Sequence, residues 1–246
     1  MTNRKLLSLA LLLLLCACSS QQVVPRNSAE QYFQEGERFY DSKLYNDAIA
    51  SWEKVRDSYY SPELNMLAEL KIAEAYYQSE RYEEAATAYA DFLRQHPKNN
   101  HADKVQYQLG MSYYQQMLTA DRDQSSTENA LRTFQEFLKR FPEDEKAEEV
   151  GYLVQRCKNR LAEHEVYVGH FYLRTKNYQA AIKRLEQVLA NYPNYYYRDE
   201  AYFYLGQAYL NIGEKERAKE SFNTLFEQFP GSEYLLKAQE IFAKEY

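Results

Sequence analysis

The stretch Glu200–Pro230 reads EAYFYLGQAYLNIGEKERAKESFNTLFEQFP and is the clearest copy of a unit that recurs along the chain. Its periodicity predicts two short amphipathic helices joined by a tight turn. In the first helix Gly206 and Tyr209 are three residues apart. A residue without a Cβ and an aromatic ring therefore share one face, where a neighbouring helix can approach closely. The apolar stripe of the second helix consists of Ala218, Phe222 and Leu225, and Pro230 ends that helix.

The same unit recurs five times when the chain is aligned on the alanine of the second helix. These alanines are Ala48, Ala85, Ala130, Ala181 and Ala218. A small residue and a ring three positions later precede each of them, as Gly36 and Phe39, Ala73 and Tyr76, Gly110 and Tyr113, Gly169 and Tyr172, and Gly206 and Tyr209. A large residue follows one turn after each alanine, as Trp52, Tyr89, Phe134, Leu185 and Phe222. Proline comes 12 residues after four of the alanines, and in the first copy Pro62 comes two residues later than that.

This pattern resembles the tetratricopeptide repeat, a helix–turn–helix unit of about 34 residues. Glycine and proline are few, at 7 and 6 residues, and no run of the chain alternates apolar with polar side chains. We therefore predict an all-α fold in which five stacked repeats form a right-handed superhelix. The first copy is expected at about residues 29–62 and the second at about 66–99.

The third copy carries an insertion in the turn between its two helices. Gly110 and Ala130 are 20 residues apart, against 12 for the matching pair in the other four copies, so the extra residues fall around Met117–Thr127. Asp121, Asp123 and Ser125 lie in this insertion, but a calcium loop also needs glycine at its sixth position and glutamate at its twelfth. The sequence has serine and arginine there, so we do not expect calcium.

The fourth copy is preceded by a long segment in which Gly151 is the only helix breaker. Pro142 and Gly169 are 27 residues apart, against 13 for the matching pairs before the third and fifth copies. This predicts one helix from about Asp144 to Thr175, about 45 Å long at 1.5 Å per residue. Such a helix either braces the first three repeats against the last two or presents a face to another protein.

The N-terminus predicts a secreted lipoprotein. Arg4 and Lys5 precede an apolar run over residues 6–15, which is too short for an ordinary membrane span and is typical of a secretory signal. The next residues, LCACS, resemble a bacterial lipobox with Cys18 as the lipidated residue, because a small residue precedes it and leucine lies three positions back. The alternative is an ordinary signal sequence with incidental cysteines.

These patterns divide the N-terminal region into a signal peptide over residues 1–17 and a lipidated tether over 18–28. Several acyl chains anchor a protein firmly, because each buried CH₂ contributes about 0.8 kcal/mol. Ser19 stands where an aspartate would resemble an inner-membrane retention signal, so the outer membrane is favoured.

Composition argues against several other classes of function. The net charge of −6 over 246 residues does not favour nucleic acid as a partner. His164 and His170 are six apart, which does not suit a metal site on one helix, and no nucleophile, phosphate loop or cofactor motif is present. We therefore expect no cofactor, no metal and no enzymatic activity, and we interpret Cys157 as a buried helix residue.

Three features together carry a more specific resemblance. They are the DRD turn at Asp121–Asp123, the segment ALRTFQEFLKRFP over Ala130–Pro142, and LVQRCKNRLAEHEVYVGHFY over Leu153–Tyr172. With the lipobox and the repeats, the chain over residues 15–246 resembles the BamD family. These are the tetratricopeptide lipoproteins of the outer-membrane β-barrel assembly machinery of Gram-negative bacteria.

The resemblance implies a scaffold on the periplasmic face of the outer membrane, attached through its lipid alone. It implies binding of the barrel subunit BamA through the C-terminal repeats, association with other assembly lipoproteins, and binding of unfolded outer-membrane proteins in the N-terminal half. We accordingly expect residues 29–145, repeats 1–3, to form the substrate groove and residues 146–246, repeats 4–5, to bind the partner.

First helices of stacked repeats line a concave groove, and three positions around each small residue should face it. In repeats 1–3 these are Phe33, Glu37 and Tyr40, then Leu70, Glu74 and Tyr77, then Tyr107, Met111 and Tyr114. The three tyrosines that end each set predict a row of rings that suits an extended segment with aromatic side chains. The alternative is that these rings pack between turns of the superhelix.

For the partner surface the sequence favours the long helix and the last repeat, with Tyr195, Tyr196, Tyr197 and Arg198 as exposed candidates. Tyrosine and arginine are the residue types that most often dominate interface energies. The main alternative function is that of another periplasmic tetratricopeptide lipoprotein, such as a type IV pilotin or an adaptor for a cell-wall enzyme. A cell-division coordinator is disfavoured, because residues 19–28 leave no room for a coiled coil.

Overall fold

The computed structural model describes residues 27–58 and 61–245, and within these ranges it contains eleven α-helices and no strand. The helices are α1 (Asn27–Asp41), α2 (Tyr45–Asp57), α3 (Pro62–Gln78), α4 (Tyr82–Gln95), α5 (Ala102–Gln115), α6 (Ser125–Arg140), α7 (Ala147–Arg174), α8 (Tyr178–Asn191), α9 (Arg198–Asn211), α10 (Lys215–Gln228) and α11 (Leu235–Glu245). The predicted all-α fold is confirmed. Cys18, the signal peptide 1–17 and the tether up to residue 26 lie outside the described residues.

Helices that are neighbours in the chain pack against each other as helix–turn–helix repeats require. Contacts join α1 to α2, α5 to α6, α7 to α8 and α9 to α10. In the second repeat the rings of Tyr77 and Tyr82 lie 5.4 Å apart, and Glu69 Oε2 lies 2.9 Å from His96 Nε2. Pro62 is the first residue of α3, so the second copy starts earlier than the predicted residue 66. The missing N–H of proline costs nothing at a helix start, so Pro62 begins a helix and does not end one.

The chain divides into two compact units between Ala68 and Glu69, inside α3. Among the described residues, the first unit holds α1, α2 and the start of α3, and the second unit holds the rest of the helices. We predicted a different boundary, between the substrate-binding repeats ending at residue 145 and the partner-binding repeats starting at residue 146. That boundary lies in the short connection before α7, within the second unit.

The small residue of each first helix makes room for the large residue of the second helix. A Cβ built on Gly206 would lie 2.6 Å from the Phe222 ring, and one built on Gly36 would lie 2.5 Å from Trp52 Nε1. Gly110 faces Phe134 and Gly169 faces Leu185 in the same way. All four large side chains are fully buried. The predicted close approach of helices at these positions is therefore confirmed, and the neighbour is the second helix of the same repeat.

The tight turns of four repeats share one backbone conformation. Lys43, Glu80, Lys176 and Gly213 have φ angles of 60°, 62°, 61° and 81°, and each lies five residues before the repeat's alanine. Side chains other than glycine rarely adopt this left-handed region. In the third repeat the matching position is Ser125, the first residue of α6, because the insertion has replaced the turn.

The insertion is confirmed as a connection over residues 116–124 between α5 and α6. It folds around Gln124, whose buried side-chain amide donates to the carbonyl oxygens of Thr119 and Arg122 at 2.9 and 3.0 Å. Asp123 accepts the backbone N–H and the hydroxyl of Ser125, the first residue of α6, at 2.9 and 3.2 Å. The side chains of Gln124 and Asp123 therefore stabilise the loop and the start of α6.

Helix α7 is the predicted long helix, and its 28 residues correspond to about 42 Å. Val150, Leu153 and Cys157 in its first half pack with Phe134 and Phe137 of the third repeat. In its second half the buried residues Ala162, Val166 and Leu173 belong to the core formed with α8, α9 and α10. The interpretation of α7 as a brace is confirmed for the third repeat and the last two. Cys157 is fully buried, and burial raises the pKa of its thiol to about 12.

Helix α11 follows the last repeat and was not predicted. It packs on α10, where the rings of Phe242 and Phe226 meet edge to face at 5.8 Å, and Ala238 is fully buried. The opposite face carries Leu236, which is 74% exposed. This helix covers the apolar side of α10.

Candidate interaction surfaces

In the first repeat, Phe33 and Tyr40 lie on either side of one tryptophan. Their ring centroids are 6.3 and 5.8 Å from that of Trp52, whose Nε1 donates to the Phe33 carbonyl oxygen at 3.2 Å. Tyr40 also meets Tyr45 edge to face at 5.5 Å. Both side chains, and Glu37 between them, are half-buried. These rings therefore pack within their own repeat and remain partly accessible.

The second repeat reproduces this arrangement. Tyr77 meets Tyr82 edge to face at 5.4 Å with an interplanar angle of 68°, against 70° for the Tyr40–Tyr45 pair. Leu70 and Glu74 are half-buried, and Glu74 pairs with Lys71 at 3.6 Å. The two tyrosine pairs are equivalent positions of two repeats, because both lie 37 residues apart in the sequence.

In the third repeat the long helix α7 contacts Tyr107, the first of that repeat's predicted groove residues. The Tyr107 hydroxyl donates to Glu149 Oε1 at 2.7 Å, and Lys146 Nζ lies 4.5 Å from the Tyr107 ring centroid. Burial and this carboxylate raise the pKa of Tyr107, and the bond from Tyr107 lowers the pKa of Glu149. Met111 is half-buried in the core cluster of this repeat.

Tyr114 is the most distinctive of the predicted groove residues. Its ring meets Phe134 edge to face at 6.3 Å, and the Arg156 guanidinium of α7 lies 5.9 Å from its centroid. Burial raises the pKa of Tyr114 against the opposing effect of the Arg156 charge. The structure thus brings Arg156, which was not among the predicted site residues, close to the Tyr114 ring.

The predicted partner surface needs one correction. Tyr196 and Tyr197 are exposed, at 58% and 56%, but Tyr195 is buried at 3%, so the prediction that Tyr195 is exposed is wrong. Tyr195 belongs to the core that α7 shares with the last repeats, and burial raises its pKa. A triple tyrosine in a turn cannot place all its side chains in water, because successive residues point in different directions. Arg198, the first residue of α9, is half-buried, with its guanidinium 5.6 Å from the Phe229 ring.

The sequence favoured the long helix for the partner surface, but its exposed aromatic residues were not selected. Tyr152, Tyr167 and Phe171 are 59%, 46% and 46% exposed. Their spacing of 15 and 4 residues places them on one side of a helix, together with Arg156. Plotting Ala147–Arg174 at 100° per residue would have found this side. Gln155 Nε2 also lies 3.5 Å from the Asn194 carbonyl oxygen, so the turn that carries Tyr196 and Tyr197 adjoins the same helix.

Within the described ranges no cluster of three or more histidine, cysteine, aspartate or glutamate side chains could hold a metal ion. His164 Nδ1 lies 2.7 Å from the Ala120 carbonyl oxygen and so joins α7 to the insertion. His170 stacks on Tyr204 with ring centroids 4.1 Å apart. No helix in the described part of the chain is both apolar enough and long enough to cross a bilayer.

The model of the YfiO family, described as outer membrane lipoproteins, matches residues 25–221. This chain belongs to the YfiO family. The matched residues run from just before α1 into α10, and therefore include every predicted groove residue and the turn with Tyr196 and Tyr197.

Relatives in the family carry one shared name. The chain is 30% identical over 202 residues to the outer membrane protein assembly factor BamD of Rickettsia prowazekii, covering 82% of this chain and 80% of the relative. It is 26% identical over 250 residues to the BamD of Neisseria meningitidis serogroup A, covering 95% and 94%. Among solved structures, it is similar to the TPR2AB domain of yeast Sti1 in complex with pHSP90, with a TM-score of 0.43, 15% identity and coverage of 88% and 84%.

Proposed function

We propose that this protein is a non-catalytic scaffold of outer-membrane protein assembly, lipidated at Cys18 and held at the periplasmic face of the outer membrane. In this role it binds the barrel subunit BamA and unfolded outer-membrane proteins. The observation that carries the proposal is membership of the YfiO family together with solvent-accessible rings at the expected surfaces. The names of the relatives support the same assignment.

The substrate surface in this proposal consists of the first-helix side chains of repeats 1–3. Tyr40 and Tyr77 are half-buried, and each meets a second tyrosine edge to face. Supported rings of this kind lose little side-chain entropy when a ligand ring stacks on them, and aromatic pairs contribute about 0.5 to 1.5 kcal/mol each. An extended segment with aromatic side chains is therefore the substrate chemistry that these surfaces suit.

The partner surface in this proposal is the turn between α8 and α9 with the adjoining face of α7. Tyr196 and Tyr197 meet edge to face at 6.3 Å, and both are more than half exposed. Exposed tyrosines adjacent to arginine are typical of protein interfaces, where large rigid rings bury much area at small entropic cost.

The test separates the two surfaces in one pull-down with the detergent-extracted full-length protein as bait. BamA and an outer-membrane protein diluted from urea are the two preys. We expect Tyr196→Ala with Tyr197→Ala to lose BamA and keep the unfolded substrate, because only the partner surface has changed. Tyr40→Ala with Tyr77→Ala should give the reverse pattern.

A matched control is available for the groove variant. Tyr45→Ala with Tyr82→Ala removes the same two ring pairs from the second-helix side. It should cost similar stability and weaken substrate capture much less than the groove variant does, because the rings of Tyr40 and Tyr77 themselves remain. Capture of both preys by every variant would refute the proposed surfaces, and capture of neither prey by the wild-type protein would refute the function.

A further inference from the structure

The second half of α7 and the start of α8 carry an excess of positive charge in an acidic protein. Residues 151–185 contain seven lysines and arginines against two glutamates, whereas the whole chain has a net charge of −6. Both glutamates are engaged, because Glu163 pairs with Arg160 at 2.9 Å and Glu165 pairs with Arg184 at 2.7 Å. Among the described residues no carboxylate pairs with the other five cations, which are Arg156, Lys158, Arg174, Lys176 and Lys183.

Two of these cations lie beside exposed aromatic rings at the end of α7. Tyr167, Phe171 and Arg174 follow one another at spacings of four and three residues, so they share one face of the helix. Both rings are 46% exposed, and Arg174 is exposed as well. Lys176 is also exposed and lies in the turn that follows α7. We call Tyr167, Phe171, Arg174 and Lys176 the basic aromatic end of α7.

The core below this end supports its exposed face. Phe171 meets Tyr172 edge to face at 5.9 Å, and Tyr172 packs against the buried cluster that α7 forms with α8, α9 and α10. The neighbouring His170 stacks on Tyr204 of α9 with ring centroids 4.1 Å apart. A surface that covers the basic aromatic end therefore meets a preformed helix face and need not order it.

The basic aromatic end is separate from the proposed partner surface. Tyr152 and Tyr167 are 15 residues apart, about 22 Å along α7. Gln155, whose Nε2 lies 3.5 Å from the Asn194 carbonyl oxygen, belongs to the first half of the helix. The turn with the exposed tyrosines of the partner surface therefore adjoins that half.

We propose that the basic aromatic end of α7 contacts the surface of a bilayer that contains anionic phospholipid. This inference rests on the lipid anchor of the proposed function, which keeps the protein beside a membrane. Each lysine or arginine near an anionic bilayer favours contact roughly fivefold, and Arg174 and Lys176 are both available. Such a weak contact is enough to orient an anchored protein, because the anchor raises the effective concentration of the lipid surface.

The residue types favour a lipid surface over an acidic protein. Tyrosine is enriched at the level of the lipid head groups, where its apolar ring and polar hydroxyl both find suitable surroundings. Arginine and lysine can bury their apolar stems and keep their charges among the phosphates. A protein partner would need pockets for two half-exposed rings, whereas a fluid bilayer adapts to them.

The test places a fluorophore within the basic aromatic end of the full-length lipidated protein, reconstituted in vesicles. Thr175→Cys, at an exposed position between the two cations, is labelled with nitrobenzoxadiazole. Cys157 stays unlabelled, because it is buried and its pKa is raised to about 12. Quenching by a lipid with a nitroxide on its head group reports contact. We expect strong quenching in phosphatidylcholine vesicles that contain phosphatidylglycerol and weak quenching in phosphatidylcholine alone.

Removing both cations should abolish most of this contact. In the anionic vesicles Arg174→Gln with Lys176→Gln should lower the ratio of membrane-bound to free fluorophore roughly twentyfold. The matched control is Arg94→Gln with Lys98→Gln. It removes the same two charges from exposed positions at the end of α4 and in the turn that follows, and it should be quenched as the wild type is.

Three results would overturn the inference. They are equal quenching in the two kinds of vesicle, wild-type quenching of Arg174→Gln with Lys176→Gln, and fluorescence that changes only after BamA is added, which would assign the surface to a protein. Flotation of the vesicles in a density gradient tests the proposed function separately. Protein that does not float lacks the lipid anchor, so the proposed function fails. Protein that floats without quenching keeps its anchor and refutes this inference alone.

Discussion

At the scale of single residues, the repeat depends on one steric fit. The small residue of each first helix faces the large residue of the second, and Phe222 would have to move if Gly206 carried a Cβ. Close-packed interiors resist such movement, because neighbouring side chains already occupy their preferred rotamers. The same helices contain Gly151, where a Cβ would meet nothing within 4 Å. Comparing alanine substitutions at these two glycines therefore separates the effect of packing on stability from the effect of helix propensity.

We expect Gly206→Ala to lower the free energy of unfolding by about 1 to 3 kcal/mol, because the Phe222 ring must shift. Gly151→Ala should raise it by up to about 1 kcal/mol, because alanine is the better helix former and the site is open. Urea unfolding followed by circular dichroism measures both changes. A Gly206→Ala protein as stable as the wild type would show that this fit does not limit the repeat.

At the scale of elements, the insertion and α7 depend on each other. The Ala120 carbonyl oxygen in the loop lies 2.7 Å from His164 Nδ1, and Met117 Sδ lies 3.9 Å from the buried Cys157 Sγ. The loop therefore covers the thiol from one side while the third repeat covers it from another. A lengthened turn is tolerated here because its backbone polar groups find partners within the loop and on the long helix.

The contact between the insertion and α7 predicts that the Cys157 thiol becomes more reactive when the loop is released. In the folded protein Cys157 should alkylate slowly, because it is buried and its pKa is raised to about 12, which leaves little thiolate. His164→Ala should accelerate alkylation several-fold by releasing the loop. His170→Ala, on the same helix but stacked on Tyr204, should not. Mass spectrometry of the peptide that contains Cys157, after timed iodoacetamide treatment, measures the rate, and equal rates for the two variants would contradict loop docking.

At the scale of the whole molecule, the acidic character of the chain affects the pKa of a half-buried carboxyl group near the C-terminal helix. Burial raises the pKa of Glu200 in α9, and the nearby Asp199 and Glu233 add to this effect against hydrogen bonds from Tyr234 and Tyr204. Tyr234 immediately precedes α11, and its ring stacks on Phe203 at 4.9 Å. The carboxyl group therefore lies where the last helix joins the array.

Stability should depend on pH through this group. Because the pKa of Glu200 is higher in the folded than in the unfolded state, its ionisation opposes folding at neutral pH. This loss of stability disappears as the pH falls below the pKa of Glu200 in the folded state, toward the pKa of an ordinary carboxyl group. Glu200→Gln should therefore be more stable than the wild type at pH 7.5, and the difference should shrink as the pH is lowered.

Urea unfolding at a series of pH values measures this difference. The exposed Glu240→Gln on α11 is the control and should stay within about 0.5 kcal/mol of the wild type throughout. A Glu200→Gln advantage that does not change with pH would assign the effect to packing and not to ionisation.

From the sequence alone, the helical repeats, the insertion and the long helix could be predicted, because each depends on local spacing. The small residue, the ring and the large residue recur at fixed offsets, and helical geometry converts those offsets into a shared face. The length of α7 followed from the segment between Pro142 and Gly169, in which Gly151 is the only helix breaker. Family membership followed from the same local signals and is confirmed over residues 25–221.

Only the tertiary structure decided which side chains remain accessible. Tyr195, Tyr196 and Tyr197 are chemically identical, yet one is buried against the core that α7 shares with the last repeats. Arg156 lies close to the Tyr114 ring, 42 residues earlier in the chain, only because α7 passes that ring. Exposure and pairing across such distances depend on how helices pack, and a local pattern specifies which faces are apolar but not which neighbour covers them.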